Sequence, residues 1–298
     1  MDNKSSRRKL LKQLAVGSIA VAANPIASLA AASEDSNDMY KLKGNINHSV
    51  CRWTYNFLPL DELCEVANKI GLKAIDLVGP KDWDTLKKHG LFSSMCNGAE
   101  ISLTKGWNHT EYHSTLIKNY TDHINYVADA GYKNLICFSG SREGMDDETG
   151  LKNCVQGLKQ IISLAEKRGI TIQMELLNSK IDHKDYMCDK SPWGIELCKR
   201  IGSENFKLLY DIYHMQIDEG DVIRTIKDNH LYFGHYHTAG VPGRHEIDDT
   251  QELFYPAIIK AIVDTGFKDY LAQEFIPTGK EKEDKIKALK KAVKICDV

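Results

Sequence analysis

The chain has 298 residues, of which 42% are hydrophobic, 27% charged and 8% aromatic, with a formal net charge of −2. These proportions exclude disorder, a collagen-like fibre and a multi-span membrane protein, and the length suits two average domains or one α/β barrel of about 250 residues. Residues 1–32 hold five basic and one acidic side chain, leaving 34 basic and 40 acidic in the remainder, a net −6 that argues against a nucleic-acid partner.

The chain opens on what reads as an address. Ser6-Arg-Arg-Lys-Leu-Leu-Lys12 precedes an Ala-rich apolar stretch from Leu14 to Ala32, which ends in small residues before the polar Ser33-Glu-Asp-Ser-Asn. A basic region, a short apolar region and an A-x-A site make an export signal, and the paired arginines give it the twin-arginine form. Residues 1–32 are therefore expected to be cleaved on export to the periplasm, with 33–45 as a polar linker and 46–298 as the folded domain. An uncleaved anchor is the alternative; Pro25 and the modest hydrophobicity of the stretch weigh against a stable span.

From residue 46 onward one unit repeats: a short β-branched or apolar run, then a longer amphipathic stretch. Strands are predicted at 47–51, 74–78, 92–97, 134–139, 171–177, 207–211, 231–238 and 270–275, and helices at 60–70, 112–130, 151–168, 192–201, 253–265 and 280–295. Gly71, Gly131, Gly169, Gly202 and Gly266 fall where a helix would end. Eight such units without a composition break predict a single (β/α)8 TIM barrel. A doubly wound open sheet would carry a Gly-rich loop after its first strand, where this chain has Cys51-Arg-Trp-Thr-Tyr. The eight cysteines include no C-x-x-C pair and several lie in apolar patterns, so they read as buried free thiols.

In a barrel the active site lies at the C-terminal ends of the strands. The last four predicted strands end in Gln173-Met-Glu175-Leu-Leu-Asn178, Tyr210-Asp211-Ile-Tyr-His214, His235-Tyr-His237 and Gln273-Glu274-Phe. Glu175, Asp211, His237 and Glu274 can thus converge, and three carboxylates at one point call for a cation. An oxygen-rich set with one imidazole suits a single divalent metal ion such as Mn²⁺, Mg²⁺ or Co²⁺; Zn²⁺ would be expected to bring more histidine. Each acid taken alone is equally readable as a structural ion-pair partner. His214 is placed to reach a ligand or to cap a helix, and His235 to pack deeper behind His237. Trp53, Trp107 and Trp193 are readable as an apolar wall for a sugar or as ordinary core, and Arg142 as an anion ligand or a partner of Glu143 or Asp146.

The segments Glu175-Leu-Leu-Asn-Ser, Tyr210-Asp-Ile-Tyr-His-Met-Gln, His237-Thr-Ala-Gly-Val-Pro-Gly-Arg-His-Glu246 and Gln273-Glu-Phe resemble the hydroxypyruvate isomerase family, within the wider group of xylose-isomerase-like barrels that includes ketose 3-epimerases. The resemblance implies that Glu175, Asp211, His237 and Glu274 hold one divalent metal and that Glu175 and Glu274 transfer the proton, through an enediolate, in an isomerase or epimerase acting on a sugar or small hydroxy-ketone. Asn178, His183, His214 and Arg244 are the candidates for substrate contact, and a homodimer or homotetramer is expected by analogy. The rival readings are a non-catalytic carbohydrate-binding barrel and an endonuclease-type relative.

Overall fold

In the computed structural model, which describes residues 40–298, alternating apolar and polar runs become eight parallel strands interleaved with helices. The export signal expected at residues 1–32 lies outside the described residues. Strand β1 (Asn47–Cys51) leads into helix α1 (Leu60–Ile70), whose Leu63, Cys64, Val66, Ala67 and Ile70 are buried. Burying each of the larger of these side chains contributes about 1.5–3 kcal/mol, which fixes the face that the helix turns inward. Gly71 stops α1: at φ 94° it bends the chain while its amide donates to the Ala67 and Asn68 carbonyls.

The alternation continues through β2 (Ala74–Asp76), α2 (Trp83–Lys88), β3 (Phe92–Ser93), α3 (His113–Asp129), β4 (Asn134–Cys137), α4 (Asp147–Arg168), β5 (Thr171–Glu175), α5 (Ser191–Ile201) and β6 (Phe206–Asp211). Two helices, α6 (Ile212–Asp218) and α7 (Val222–Asn229), precede β7 (Phe233–Thr238), and α8 (Tyr255–Asp264), β8 (Tyr270–Gln273) and α9 (Lys282–Cys296) complete the chain. The sheet order is β3-β2-β1-β8-β7-β6-β5-β4, so the sheet curls into a TIM-barrel-like α/β fold. Its edges meet at one isolated parallel bridge between Cys96 and Leu135, where the Cys96 amide donates to Asn134 O at 2.9 Å and the Ile136 amide to Cys96 O at 3.0 Å.

All eight predicted strands are present, and five of them, β2, β3, β4, β5 and β8, stop short of their predicted C-terminal ends. Strand β2 stops at Asp76 because Leu77 takes a left-handed conformation (φ 55°), which a regular ladder does not accommodate. Helices α2, α6 and α7 were not predicted. Tyr40, Lys43 and Asn45, in the stretch read as a linker, are bonded to the C-terminal end: Tyr40 Oη and the Lys43 amide donate to the Asp297 carboxylate, and Asn45 Nδ2 to Val298 O. All eight cysteines are free and buried, as expected. Among the described residues no helix is long and apolar enough to cross a membrane.

Candidate active site

The last four strands carry acids or imidazoles at their C-terminal ends, and the barrel brings those ends together. Glu175 is the last residue of β5, Asp211 the last of β6, His237 lies next to last in β7, and Glu274 follows β8. One ligand atom from each lies within 4.8 Å of the others, and all four residues are buried. His237 Nδ1 is 3.0 Å from Glu274 Oε2 and 3.3 Å from Glu175 Oε1. Asp211 has a second role that its place in the sequence explains. Its Oδ1 accepts from the amides of Tyr213 and His214, capping α6, so the carboxylate is held fast with Oδ2 left facing the cluster.

Arg244 reaches the same point from the loop after β7. Its Nη2 donates to Glu274 Oε2 at 2.5 Å and lies 3.7 Å from Asp211 Oδ2. The guanidinium stands between two rings, 5.1 Å from the centroid of Trp53 and 5.4 Å from that of Tyr213. Trp53 also donates its indole N–H to Glu274 Oε1.

The three carboxyls respond differently to these surroundings. Burial, with the Glu274 charge, pushes Asp211 well above the carboxylate range, and burial also raises Glu175. Burial would raise Glu274 too, but His237 and Arg244 outweigh it and hold this carboxyl well below its ordinary value. Two of the three buried carboxyls are thus pressed toward their neutral forms, the response of acids crowded together away from water, and a cation placed among them would favour their charged forms instead.

The residues fit a divalent cation on evidence of their own. Glu175 Oε1 and Asp211 Oδ2 are shielded from water and accept no hydrogen bond, and His237 Nδ1 makes none that is aligned although Glu274 Oε2 and Glu175 Oε1 stand 3.0 and 3.3 Å away. A buried polar atom left without a partner costs about 1–3 kcal/mol, so several facing one point indicate a group that the protein is built to receive. The opposite face of His237 differs. Cys51, Asp76 and His237 form a second close cluster there, but Nε2 of the imidazole meets Asp76 Oδ1 at 3.0 Å. That cluster is satisfied by its own hydrogen bonds.

Of the residues expected to contact substrate, the fold brings His214, His183 and Arg244 to the site's margin. The His183 and His214 rings pack edge to face, 5.1 Å apart. Asn178 is fully buried and its amide is fully engaged: Nδ2 donates to Asp182 Oδ2 and His214 Nδ1, and Oδ1 accepts from the amides of Ile181 and Asp182. Its visible work is to orient the His214 ring and the loop after β5. Trp107 and Trp193 are core residues, the first packed on Tyr120 and His113, the second donating to Asp147 O. Trp53 alone of the three borders the site. Arg142 pairs with Asp147 and Asp189 rather than with Glu143 or Asp146.

Asp76 escaped the sequence reading altogether. The only signal was an acid closing the short strand Ala74-Ile-Asp76, in the half of the barrel where no metal ligand was sought.

A family description, xylose isomerase-like TIM barrel, matches residues 64–294, and the chain belongs to that family. A 2-oxo-tetronate isomerase of Cupriavidus necator is 33% identical over 123 residues, covering 41% of this chain and 46% of that protein. A human protein provisionally named hydroxypyruvate isomerase is 26% identical over 125 residues, 42% of this chain and 45% of its own length. The matches thus span about half the length of these curated relatives. The crystal structure titled AP endonuclease, family 2, from Brucella melitensis superimposes with a TM-score of 0.73 at 24% identity, covering 82% of this chain and 96% of that one, a likeness of fold.

Proposed function

We propose that this protein is a divalent-metal-dependent isomerase or epimerase of a sugar or small hydroxy-ketone. The observation that carries the reading is the pair Glu175 and Glu274, brought from β5 and from the end of β8 to the same Nδ1 face of His237, 3.3 and 3.0 Å away, beside the buried Glu175 Oε1 and Asp211 Oδ2 that accept no hydrogen bond. Glu175, Asp211, His237 and Glu274 would hold the ion. When bound, such a cation polarises a carbonyl and its neighbouring hydroxyl and stabilises the negative charge that develops there.

One carboxylate of the Glu175/Glu274 pair removes the proton on the carbon beside the carbonyl. A carboxyl of the pair then returns a proton to the adjacent carbon, giving isomerisation, or to the opposite face, giving epimerisation. Arg244 and His214 lie where substrate oxygens would stand, and the Trp53 ring forms an apolar wall beside them. Mn²⁺, Mg²⁺ or Co²⁺ is the ion that the oxygen-rich donor set favours. Residues 1–32 are proposed to export the protein by the twin-arginine route. A sugar or oxidised sugar met outside the cytoplasm then makes a better physiological substrate than hydroxypyruvate.

The test is metal content of the purified mature protein together with turnover of hydroxypyruvate, 2-oxo-acids and a ketose panel, before and after chelation. About one divalent ion per chain and metal-dependent turnover of one panel member support the proposal. Ligand binding without turnover in metal-replete protein would replace it with a carbohydrate-binding role. DNA nicking would replace it with an endonuclease.

A further inference from the structure

We infer that Asp76 is a positioning residue that orients the His237 imidazole toward the cation site. The inference rests on the proposed role of His237 as a ligand. Asp76 is fully buried at the end of β2, on the far side of the imidazole from the three carboxylates. Its Oδ1 lies 3.0 Å from His237 Nε2, and Cys51 Sγ stands 3.6 Å from the same oxygen. Its Oδ2 accepts from Ser94 Oγ at 2.6 Å and lies 2.9 Å from His235 Nε2. The carboxylate is thus clamped by groups from β1, β7 and the segment after β3, and it offers a single acceptor oxygen to Nε2.

An imidazole has one lone pair to give, and the nitrogen that carries the proton cannot donate it to a metal. A carboxylate accepting from Nε2–H places the proton there, which leaves Nδ1 open toward Glu175, Asp211 and Glu274. It also fixes the ring plane, since rotation about the Cβ–Cγ bond would break the 3.0 Å contact. Partners of this kind commonly change metal affinity by about 10–100-fold when removed. Nε2 is bonded to Asp76, whereas Nδ1 faces Glu274 Oε2 and Glu175 Oε1 at 3.0 and 3.3 Å without an aligned hydrogen bond, and this is the asymmetry that the arrangement produces.

The test compares the full mature chain with Asp76→Asn and with Ser94→Ala. The first weakens the acceptor and the second loosens the clamp while leaving the carboxylate in place. Titration calorimetry with MnCl2 reads affinity, and ¹⁵N-histidine NMR of the metal-free protein reads the proton on His237 Nε2. We expect Mn²⁺ affinity to fall 10–100-fold in Asp76→Asn and a few-fold in Ser94→Ala. A hydrogen-bonded, slowly exchanging His237 Nε2 proton should be present in the parent and shifted or lost in Asp76→Asn. Parent-like affinity and an unchanged Nε2 signal in a folded variant overturn the inference and leave the metal reading intact. If the parent itself binds no Mn²⁺, the metal reading fails, and with it the inference that the orientation serves a cation. Should Asp76→Asn not fold, Ser94→Ala decides: unchanged Mn²⁺ affinity and Nε2 signal would reject the proposal.

Discussion

Trp53 donates its indole N–H to Glu274 Oε1 across 2.8 Å, tying the loop after the first strand to the acid at the end of the last. The same ring flanks the Arg244 guanidinium, which in turn holds Glu274 Oε2. Each oxygen of one carboxylate is thereby fixed by a different element. Trp53→Phe keeps a ring beside Arg244 and removes only the donor. A hydrogen bond to a charged group contributes about 1.5–3 kcal/mol, so kcat should fall roughly 10–100-fold if Glu274 moves a proton. Steady-state kinetics with metal-saturated enzyme would check it; a rise in KM alone would assign Trp53 to substrate binding instead.

Glu175→Gln retains the shape of the side chain and removes its charge and basicity. Activity should drop by about 10²–10⁴-fold, the span typical of a lost general acid or base, and metal occupancy should fall with it. Occupancy by elemental analysis and single-turnover rates separate the two effects. A folded Glu175→Gln protein with unchanged metal content and rate would remove this residue from the site.

The loop that follows the third strand passes so close to the end of the fourth that only glycine fits. A Cβ on Gly106 would lie 2.3 Å from the Ser139 carbonyl carbon, and one on Gly140 2.2 Å from Asn108 Oδ1. Backbone cannot yield as a flexible side chain does. Gly106→Ala should therefore lower stability by about 1–3 kcal/mol or more, read as a shift in the urea midpoint with an unchanged m-value. A midpoint within error of the parent would show that the loop relaxes freely.

His48 lies at the other end of the barrel, buried, with neither ring nitrogen hydrogen-bonded and the Asp297 carboxylate 3.8 Å away. Burial outweighs that carboxylate and lowers its pKa to about 4. The unfolded chain, with an ordinary pKa near 6.5, binds a proton more readily, so this histidine destabilises the fold as pH falls from about 6.5 to 4. The loss is on the order of 3 kcal/mol over the whole window, about 2 of it already present at pH 5. Chemical denaturation of the parent and His48→Leu at pH 7 and pH 5 should show a shallower pH dependence in the variant. Parallel profiles would disprove it.

The ligand set was legible because strand-end chemistry is local. Glu175, Asp211, His237 and Glu274 each lie at or near the end of a predicted strand with apolar residues earlier in it, and the barrel's geometry does the rest. β1 and α1 were placed to the residue because an alternating run and an amphipathic helix closed by glycine leave little freedom. What stayed hidden depends on contacts between distant segments. Nothing in Ala74-Ile-Asp76 announces that His237 will stand over it, or that Ser94 will clamp it. Asn178 reads in the sequence as a candidate substrate contact, whereas in the fold its amide is consumed by Asp182 and His214. Helix α6 was missed because Asp211 serves two roles, and the capping one shows only when the chain turns at Ile212.

The joint between Cys96 and Leu135 has a mechanical consequence. At the joint itself there are two main-chain hydrogen bonds and the Asn134 amide, which donates to Ser94 O, with the Trp107 and Asn108 amides bonding Phe138 O and Ser139 O further along, whereas β5 through β8 are joined by full ladders, broken only by a register shift at Leu208/Leu209 between β6 and β7. The ring therefore has a hinge side and a zip side. Opening at the Cys96 zip leaves the four strands that carry Glu175, Asp211, His237 and Glu274 in register, and the amides of Cys96 and Ile136 should exchange with solvent before those of β6.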